Sequence, residues 1–159
     1  MPEKLSDSFI LGLVVGEGCF TFSTNTTIDA NRKKSLRRIP AFSIGMHERD
    51  YELLIKVRDS MGLKNKVYKF KSSVGDGYNR GDKAILIVRE FYQLKNIVIP
   101  FFNGRLEGYK EKQFKEWIEK IGSDESVPFH FKKLYWIHKA GFYDDYLKTG
   151  DMSKIRDLE

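Results

Sequence analysis

The 159-residue chain has little cysteine and little histidine, and both scarcities exclude a class of protein. Its one cysteine, Cys19, rules out an internal disulfide, so the chain is not a small domain cross-linked by disulfides. The histidines do not have zinc-ligand spacing with that cysteine, so no structural zinc is expected. They are His47, His130 and His138.

The chain also lacks a long apolar run. The apolar stretch 9–16 is short, and it follows Glu3, Lys4 and Asp7 where a signal peptide would carry a cationic region. No later segment approaches the roughly 20 apolar residues of a membrane span. We therefore expect a soluble intracellular protein, in the cytoplasm or in an organelle that encodes it, that is not secreted and has no membrane partner.

Hydrophobic residues make up 41% of the chain and aromatic residues 14%, which indicates a folded globule. The net charge is +6, and the isoelectric point is about 9.3. This charge allows an anionic partner, but it fits an ordinary basic protein equally well.

Apolar periodicity predicts an α+β fold with an αββαββα core, followed by C-terminal helices. Ser6 is a suitable N-cap for the first helix, and Gly62 a suitable stop for the second. The predicted helices cover 7–17, 48–62, 90–99, 107–122 and one or two segments from 127 onward. The predicted strands cover about 20–27, 38–47, 64–71 and 84–89, with a basic turn at 31–38 and a glycine-rich turn at 72–83. We expect one domain over 1–159, with its core at about 5–121 and a helical segment at 122–159.

Alternation along the strands predicts which side chains face the helices. The inward set is Phe20, Phe22, Phe42, Ile44, Tyr68 and Phe70. The outward set is Thr21, Ser23, Asn25, Ser43, Lys69 and Lys71, and it is polar and basic. Such a face suits the base edges and phosphates of DNA, although an ordinary solvated sheet face is an equally good interpretation.

The stretch LGLVVGEG at 11–18 carries a lone acidic residue, Glu17, near the end of an apolar helix. Its glycines partly resemble the glycine-rich loop of a protein kinase, but the HRD and DFG motifs are missing. A plain core helix explains the apolar residues but not the two glycines Gly12 and Gly16, because each mid-helix glycine costs up to about 1 kcal/mol.

The same stretch resembles the LAGLIDADG motif of homing endonucleases, and the order of elements over about 5–121 resembles the core of that family. The resemblance implies that two motif helices pack together and that Glu17 enters a nuclease centre beneath the DNA. It departs from the motif at Val15, where the first acid would stand, and in having glutamate at position 17. It implies a divalent cation, Mg²⁺ or alternatively Mn²⁺ or Ca²⁺, held by Glu17 and the carbonyl of Gly16.

The segment 99–114, IPFFNGRLEGYKEKQF, also resembles the family after the last strand. Lys110 matches the basic residue near the reacting phosphate, with Lys112 as the alternative. Met46 or His47 falls where the family places a polar residue that orders water, and a methionine is poorly suited to that task.

Only one copy of the motif is present, so we expect a homodimer whose two-fold axis passes between the motif helices. The predicted dimer interface comprises Leu11, Gly12, Val15 and Gly16. The expected function is site-specific cleavage of both strands of a long pseudo-palindromic DNA target by an intron- or intein-associated homing endonuclease. The alternative is a DNA- or RNA-binding module of the same fold that does not cleave, such as a splicing maturase or a transcription regulator.

The predicted DNA contacts fall into two sets. Phosphate contacts are expected from Arg32, Lys33, Lys34, Arg37, Arg38, Lys69, Lys71 and Arg80. Base contacts are expected from Thr21, Ser23, Asn25 and Ser43.

Overall fold

The computed structural model describes residues 3–71 and 81–159. The helices of these residues are α1 (Asp7–Glu17), α2 (Tyr51–Met61), α3 (Phe91–Gln93), α4 (Ile99–Phe102), α5 (Gly108–Ser123), α6 (Lys132–Lys139), α7 (Phe142–Thr149) and α8 (Ser153–Asp157). The strands are β1 (Gly18–Ile28), β2 (Lys34–His47), β3 (Val67–Phe70) and β4 (Lys83–Val88). Single 3-10 turns cover Glu48–Asp50 and Phe129–Phe131.

The four strands form one antiparallel sheet in the order β1-β2-β4-β3, which confirms the predicted α+β class. Phe20 pairs with Phe42, and Phe42 pairs with Val88, so these side chains share the inner face of the sheet. All three are buried among the helices, where burial of apolar surface stabilises the fold. Among residues 3–71 and 81–159, the helices thus pack on the inner face of the sheet, and we call the opposite side the outer face.

The predicted face of β3 is wrong. Lys69 pairs with the buried Ala84 and therefore lies on the inner side, where its Nζ is 4.4 Å from the centre of the Tyr51 ring. Tyr68 and Phe70 lie on the outer face instead. Alternation gives the period of a strand but not which of its two faces is buried, and pairing with β4 decides that here.

The predicted basic turn is also too long. The turn closes within five residues, because Asp29 Oδ1 accepts hydrogen bonds from the backbone N–H groups of Asn31 at 2.9 Å and Lys33 at 2.8 Å. The residues from Lys34 onward pair with β1 as part of β2. Favourable strand pairing outweighs the like charges in this segment, which an exposed strand keeps apart on alternate faces.

The helix predicted to end before Pro100 continues through it to Phe102, by way of a π-helical turn at Leu94–Val98. Proline has no N–H, so in this register the carbonyl of Lys95 loses its helical donor. The Tyr143 hydroxyl replaces that donor at 3.0 Å. Burial raises the pKa of Tyr143, which keeps the hydroxyl protonated and able to donate.

The C-terminal helices share the core with the rest of the chain, since Leu134, Tyr143 and Ile155 are buried in the same hydrophobic cluster as α1. Asn103 anchors them, with its Oδ1 3.0 Å from His138 Nε2 and its Nδ2 donating to Asp144 Oδ1 at 2.9 Å. Burial lowers the pKa of His138. Across 3–71 and 81–159, the helices are too short or too polar to cross a bilayer.

Candidate active site and nucleic-acid interface

Helix α1 has a stabilised beginning and an end that carries an unfavourable charge. The Ser6 hydroxyl accepts a hydrogen bond from Phe9 N at 3.1 Å, which confirms the predicted cap, and Asp7 pairs with Arg105 at 3.1 Å. Glu17 is the last residue of the helix and is exposed. A carboxylate there adds to the negative end of the helix dipole. Glu17 thus does not stabilise its own helix.

One side of α1 is buried and the other is open. Ile10 and Val14 are buried against the core, whereas Gly12 and Gly16 are exposed. A Cβ atom added at either glycine would meet nothing within 4 Å. Phe9, on the same open side, is 46% exposed. The other two residues of the predicted dimer interface, Leu11 and Val15, are partly buried against the core. The open side of α1 therefore carries Phe9 and leaves space beside Gly12 and Gly16.

Gly18 joins α1 to β1 without a loop. A Cβ atom at this position would lie 2.6 Å from Val14 Cγ1 and 2.9 Å from the Val14 carbonyl oxygen. The junction therefore admits no side chain. This close turn fixes Glu17 directly beside the first residue of the sheet.

Gly18→Ala is expected to destabilise the protein by about 1–3 kcal/mol, because the added methyl overlaps backbone that cannot move without shifting α1. The free energy of unfolding from urea titration measures this effect. The matched control is Gly45→Ala, also in the sheet, where an added Cβ meets nothing within 4 Å. Equal stability of the two variants would contradict the tight junction.

Lys110 lies at the end of α1 that carries Glu17. Its Nζ donates a hydrogen bond to the carbonyl of Gly18 and lies 3.4 Å from Gln113 Oε1. The alternative residue, Lys112, is largely exposed and pairs with Glu116 at 3.9 Å. The geometry therefore favours Lys110 for the predicted basic role.

Gln113, which is not among the predicted site residues, links Lys110 to β1. Its Oε1 accepts a hydrogen bond from Phe20 N at 3.1 Å as well as contacting Lys110. One turn further along α5, Trp117 Nε1 donates to the carbonyl of Thr21 at 2.8 Å. The spacing of 110, 113 and 117 places all three on one helix face, which is the signal that would have identified them. Together they bond to the backbone at the beginning of β1.

Met46 and His47, the two candidates for the water-ordering residue, lie at the end of β2 and differ in exposure. Met46 is packed against the core, whereas His47 is exposed on the outer face. His47 Nδ1 accepts a hydrogen bond from Arg49 N at 3.0 Å, so its other nitrogen carries the proton in the neutral ring. Gly81 leaves room for this ring, since a Cβ there would lie 2.4 Å from His47 Nε2.

Glu17 can contribute to a divalent-cation site whose other ligands come from outside the chain. Within 3–71 and 81–159, no three His, Cys, Asp or Glu side chains cluster in a way that would bind a metal ion. Mg²⁺, however, is commonly held by one or two carboxylates, with water and substrate phosphate as the other ligands. The exposed Glu17 fits that pattern if the remaining ligands come from outside the chain.

The outer face of β1 and β2 is polar. Ser23 pairs with Ile39, Asn25 with Arg37, and Thr21 and Ser43 lie on the same face. The described strands contain no aspartate or glutamate. A face with hydroxyl, amide and guanidinium groups but no carboxylate suits a polyanion.

Three predicted phosphate contacts lie on the inner side of the sheet by strand register: Lys34 at the start of β2, Arg38 and Lys69. Arg38 pairs with Asp124 at 2.9 Å and stacks on Phe22, with its guanidinium carbon 4.8 Å from the ring centre. Lys69 lies over Tyr51, as described above. Arg32 and Lys33 lie in the turn after β1, Lys34 and Arg37 in β2, and the exposed Lys71 just after β3. Arg80 lies outside the described residues, as does most of the predicted glycine-rich turn.

The LAGLIDADG endonuclease family model matches residues 10–121, which include α1, the sheet and Lys110. The chain belongs to the LAGLIDADG endonuclease family. Its motif helix is α1, and Glu17 closes that helix. The comparison with curated protein sequences gives no match.

Solved structures share this LAGLIDADG fold. The homing endonuclease I-TnaI is 23% identical, with a TM-score of 0.56 over 97% of this chain and 95% of that chain. The meganuclease I-CpaMI, bound to uncleaved DNA, is 17% identical, with a TM-score of 0.58 over 98% of this chain and 44% of that chain. I-LtrWI, bound to target DNA, is 21% identical, with a TM-score of 0.56 over 99% of this chain and 44% of that chain. The chain thus spans less than half the length of the last two.

Proposed function

We propose that this LAGLIDADG protein is a site-specific endonuclease that cleaves both strands of a long pseudo-palindromic DNA target as a homodimer. The observation that carries the proposal is the arrangement of α1: an exposed, dipole-disfavoured carboxylate ends a helix whose open side is lined by Gly12 and Gly16. A charge that weakens its own helix is a local conflict of the kind expected at a functional site. As in the sequence-based expectation, an intron or intein would encode the protein.

The homodimer follows from the single motif. One chain supplies one Glu17 and one open helix side, and a two-fold axis that passes between two α1 helices would bring a second copy of each. The length comparison supports this arrangement, since I-CpaMI and I-LtrWI have room in one chain for two units of this size. Leu11 and Val15 would border the contact between the two helices.

Each residue of the proposed centre has a separate task. Two Glu17 carboxylates close together would repel each other unless a cation neutralised them, so they would hold Mg²⁺, or Mn²⁺ or Ca²⁺, with the Gly16 carbonyl as a further ligand. When bound, such a cation polarises phosphoryl oxygen and lowers the pKa of water. Lys110, oriented by Gln113, stabilises charge on the phosphate. His47 orders water on the outer face.

Two kinds of residue on the β1–β2 hairpin would divide DNA recognition. Lys33, Lys34 and Arg37 carry positive charge for phosphates, which sets affinity without reading sequence. Thr21, Ser23, Asn25 and Ser43 present hydrogen-bonding groups for base edges in the major groove. Each protomer would then read a half-site of about one helical turn.

The proposed function is tested by incubating the protein with Mg²⁺ and a duplex library randomised over about two helical turns, roughly 21 base pairs. Recovery of cleaved, partly palindromic sequences supports the endonuclease. Sequences that are selectively bound but remain intact in Mg²⁺ and Mn²⁺ would show that the chain is a binding module without nuclease activity.

Replacing Lys33 and Lys34 together by alanine is expected to weaken binding to all duplexes alike. The slope of log K against log salt should fall by about 2, because two phosphate charges are no longer neutralised. Fluorescence anisotropy at several salt concentrations measures the slope. Lys148 and Lys154, on the C-terminal helices α7 and α8, give the matched double-alanine control. A change of base preference in the Lys33/Lys34 variant, or an equal slope change in the control, would contradict the assignment.

A further inference from the structure

The outer face of the sheet has an apolar half that the polar pattern of β1 and β2 does not suggest. Tyr68 pairs with Ile85, and both lie on the outer face with Phe70 and Ile87. We call these four residues the apolar strip. It lies on β3 and β4, beside the polar residues of β1 and β2.

The aromatic side chains of the apolar strip are open to solvent. Tyr68 is 42% exposed and Phe70 is 53% exposed, although both belong to a well-paired sheet. Their ring centroids are 6.3 Å apart, with the rings inclined at 33°. Ile85 and Ile87 beside them are only partly buried. Exposed apolar surface of this kind, rimmed by polar residues, marks an interaction site.

The charges around the apolar strip select an anionic partner. Lys66 Nζ lies 5.5 Å from the centre of the Tyr68 ring, and Lys83 is the strand partner of Phe70. A groove beside them is lined by Asn65, Lys66, Tyr68, Ile87, Arg89 and Glu90. Arg89 also reaches the polar half of the face, with Nη1 3.5 Å from Ser23 Oγ. The strip is thus continuous with the proposed DNA-binding face.

We propose that the apolar strip reads thymine methyl groups in the major groove of each half-site. Thymine is the one standard DNA base that presents a methyl group there, so apolar contact distinguishes it from cytosine. Phe70 and Tyr68 would make these contacts, while Lys66 and Lys83 hold the neighbouring phosphates. This inference rests on the proposed DNA-binding function and names the base feature that part of the interface selects.

The test uses the duplex recovered from the randomised library, with each thymidine replaced in turn by deoxyuridine, which removes only the methyl group. At one or two positions per half-site, the dissociation constant of the wild type should rise about fourfold, as expected for one buried methyl-sized group. In Phe70→Ser or Tyr68→Ser the same replacements should have no effect. Phe129→Ser, which changes a 71% exposed phenylalanine outside the sheet, is the matched control and should keep the fourfold penalty.

Phe70→Ser and Tyr68→Ser change exposed side chains, and thermal unfolding that matches the wild type confirms their folding. If the wild type binds and cleaves its target but tolerates deoxyuridine everywhere, this inference is overturned and the endonuclease stands. A deoxyuridine penalty that persists in both the Phe70 and the Tyr68 variant also overturns it. If the wild type selects no duplex from the library, the proposed function and this inference fail together. Self-association of the free protein that Phe70→Ser abolishes, with deoxyuridine tolerated, would assign the apolar strip to a protein contact instead.

Discussion

Glu17→Gln is expected to leave DNA binding near wild type and to reduce cleavage by about 10²–10³-fold or more, the range seen when one electrostatic stabiliser is removed. The amide keeps the shape of the side chain but loses the charge that a cation requires. The fold should not suffer, because Glu17 is exposed and lies at the unfavourable end of the α1 dipole. Single-turnover cleavage in Mg²⁺ and a binding titration in Ca²⁺ measure the two effects separately.

The matched control for this experiment is Glu52→Gln. Glu52 is an exposed glutamate on α2, and α2 packs on the inner side of the sheet, away from the outer face. Its cleavage rate should equal that of the wild type. Cleavage by Glu17→Gln at the wild-type rate would remove Glu17 from the centre. Loss of both binding and cleavage would instead mean that Glu17 contributes to DNA affinity or to the stability of the fold.

Gly12→Ala and Gly12→Leu are expected to separate the stability of one chain from the association of two. Within one chain the position is open, so alanine should stabilise α1 by up to about 1 kcal/mol through helix propensity. At a close helix–helix contact the same methyl would push the two chains apart, and leucine would do so more strongly, at a cost of about 1–3 kcal/mol or more. The two quantities therefore change in opposite directions.

Urea unfolding at low protein concentration reports the first quantity, and sedimentation equilibrium reports the second. Lys56→Leu, at an exposed position of α2, controls for the general effect of adding an apolar side chain to a helix surface. A fully dimeric Gly12→Leu protein that still cleaves DNA would place the dimer contact elsewhere. A wild type that is monomeric when it cleaves would remove the homodimer from the proposal.

The first two helices were predictable because local chemistry defines them. The Ser6 cap and the abrupt turn at Gly18 bound α1, and Gly62, with φ of 81°, ends α2 in the left-handed conformation that glycine tolerates. The helix through Pro100 was mispredicted because its cause is distant: Tyr143 supplies the hydrogen bond that proline cannot make. Local sequence signals thus predict where a helix ends, unless a residue far along the chain supplies a hydrogen bond that the local backbone cannot make.

The same distinction separates the predicted parts of the site from the missed ones. The motif and Lys110 were identified from short stretches of sequence, and their roles remain predictions. The inner position of Arg38 was not identifiable, because its partner Asp124 is 86 residues away. The outer position of Phe70 depends equally on pairing with β4, since a shift of one residue exchanges the two faces of a strand. Side-chain direction on short strands is therefore the property that the sequence left undetermined.

The paired length of β1 has a consequence for the size of the target. Its 11 residues all pair with β2, which gives a ribbon of about 37 Å at roughly 3.4 Å per residue. One turn of B-DNA advances about 34–36 Å, so in the proposed complex the length of the ribbon would match the length of one half-site. Lengthening each strand of the hairpin by two residues would extend the ribbon by about 7 Å, which equals two base-pair steps. Target length would then be encoded in strand length, independently of which bases the side chains select.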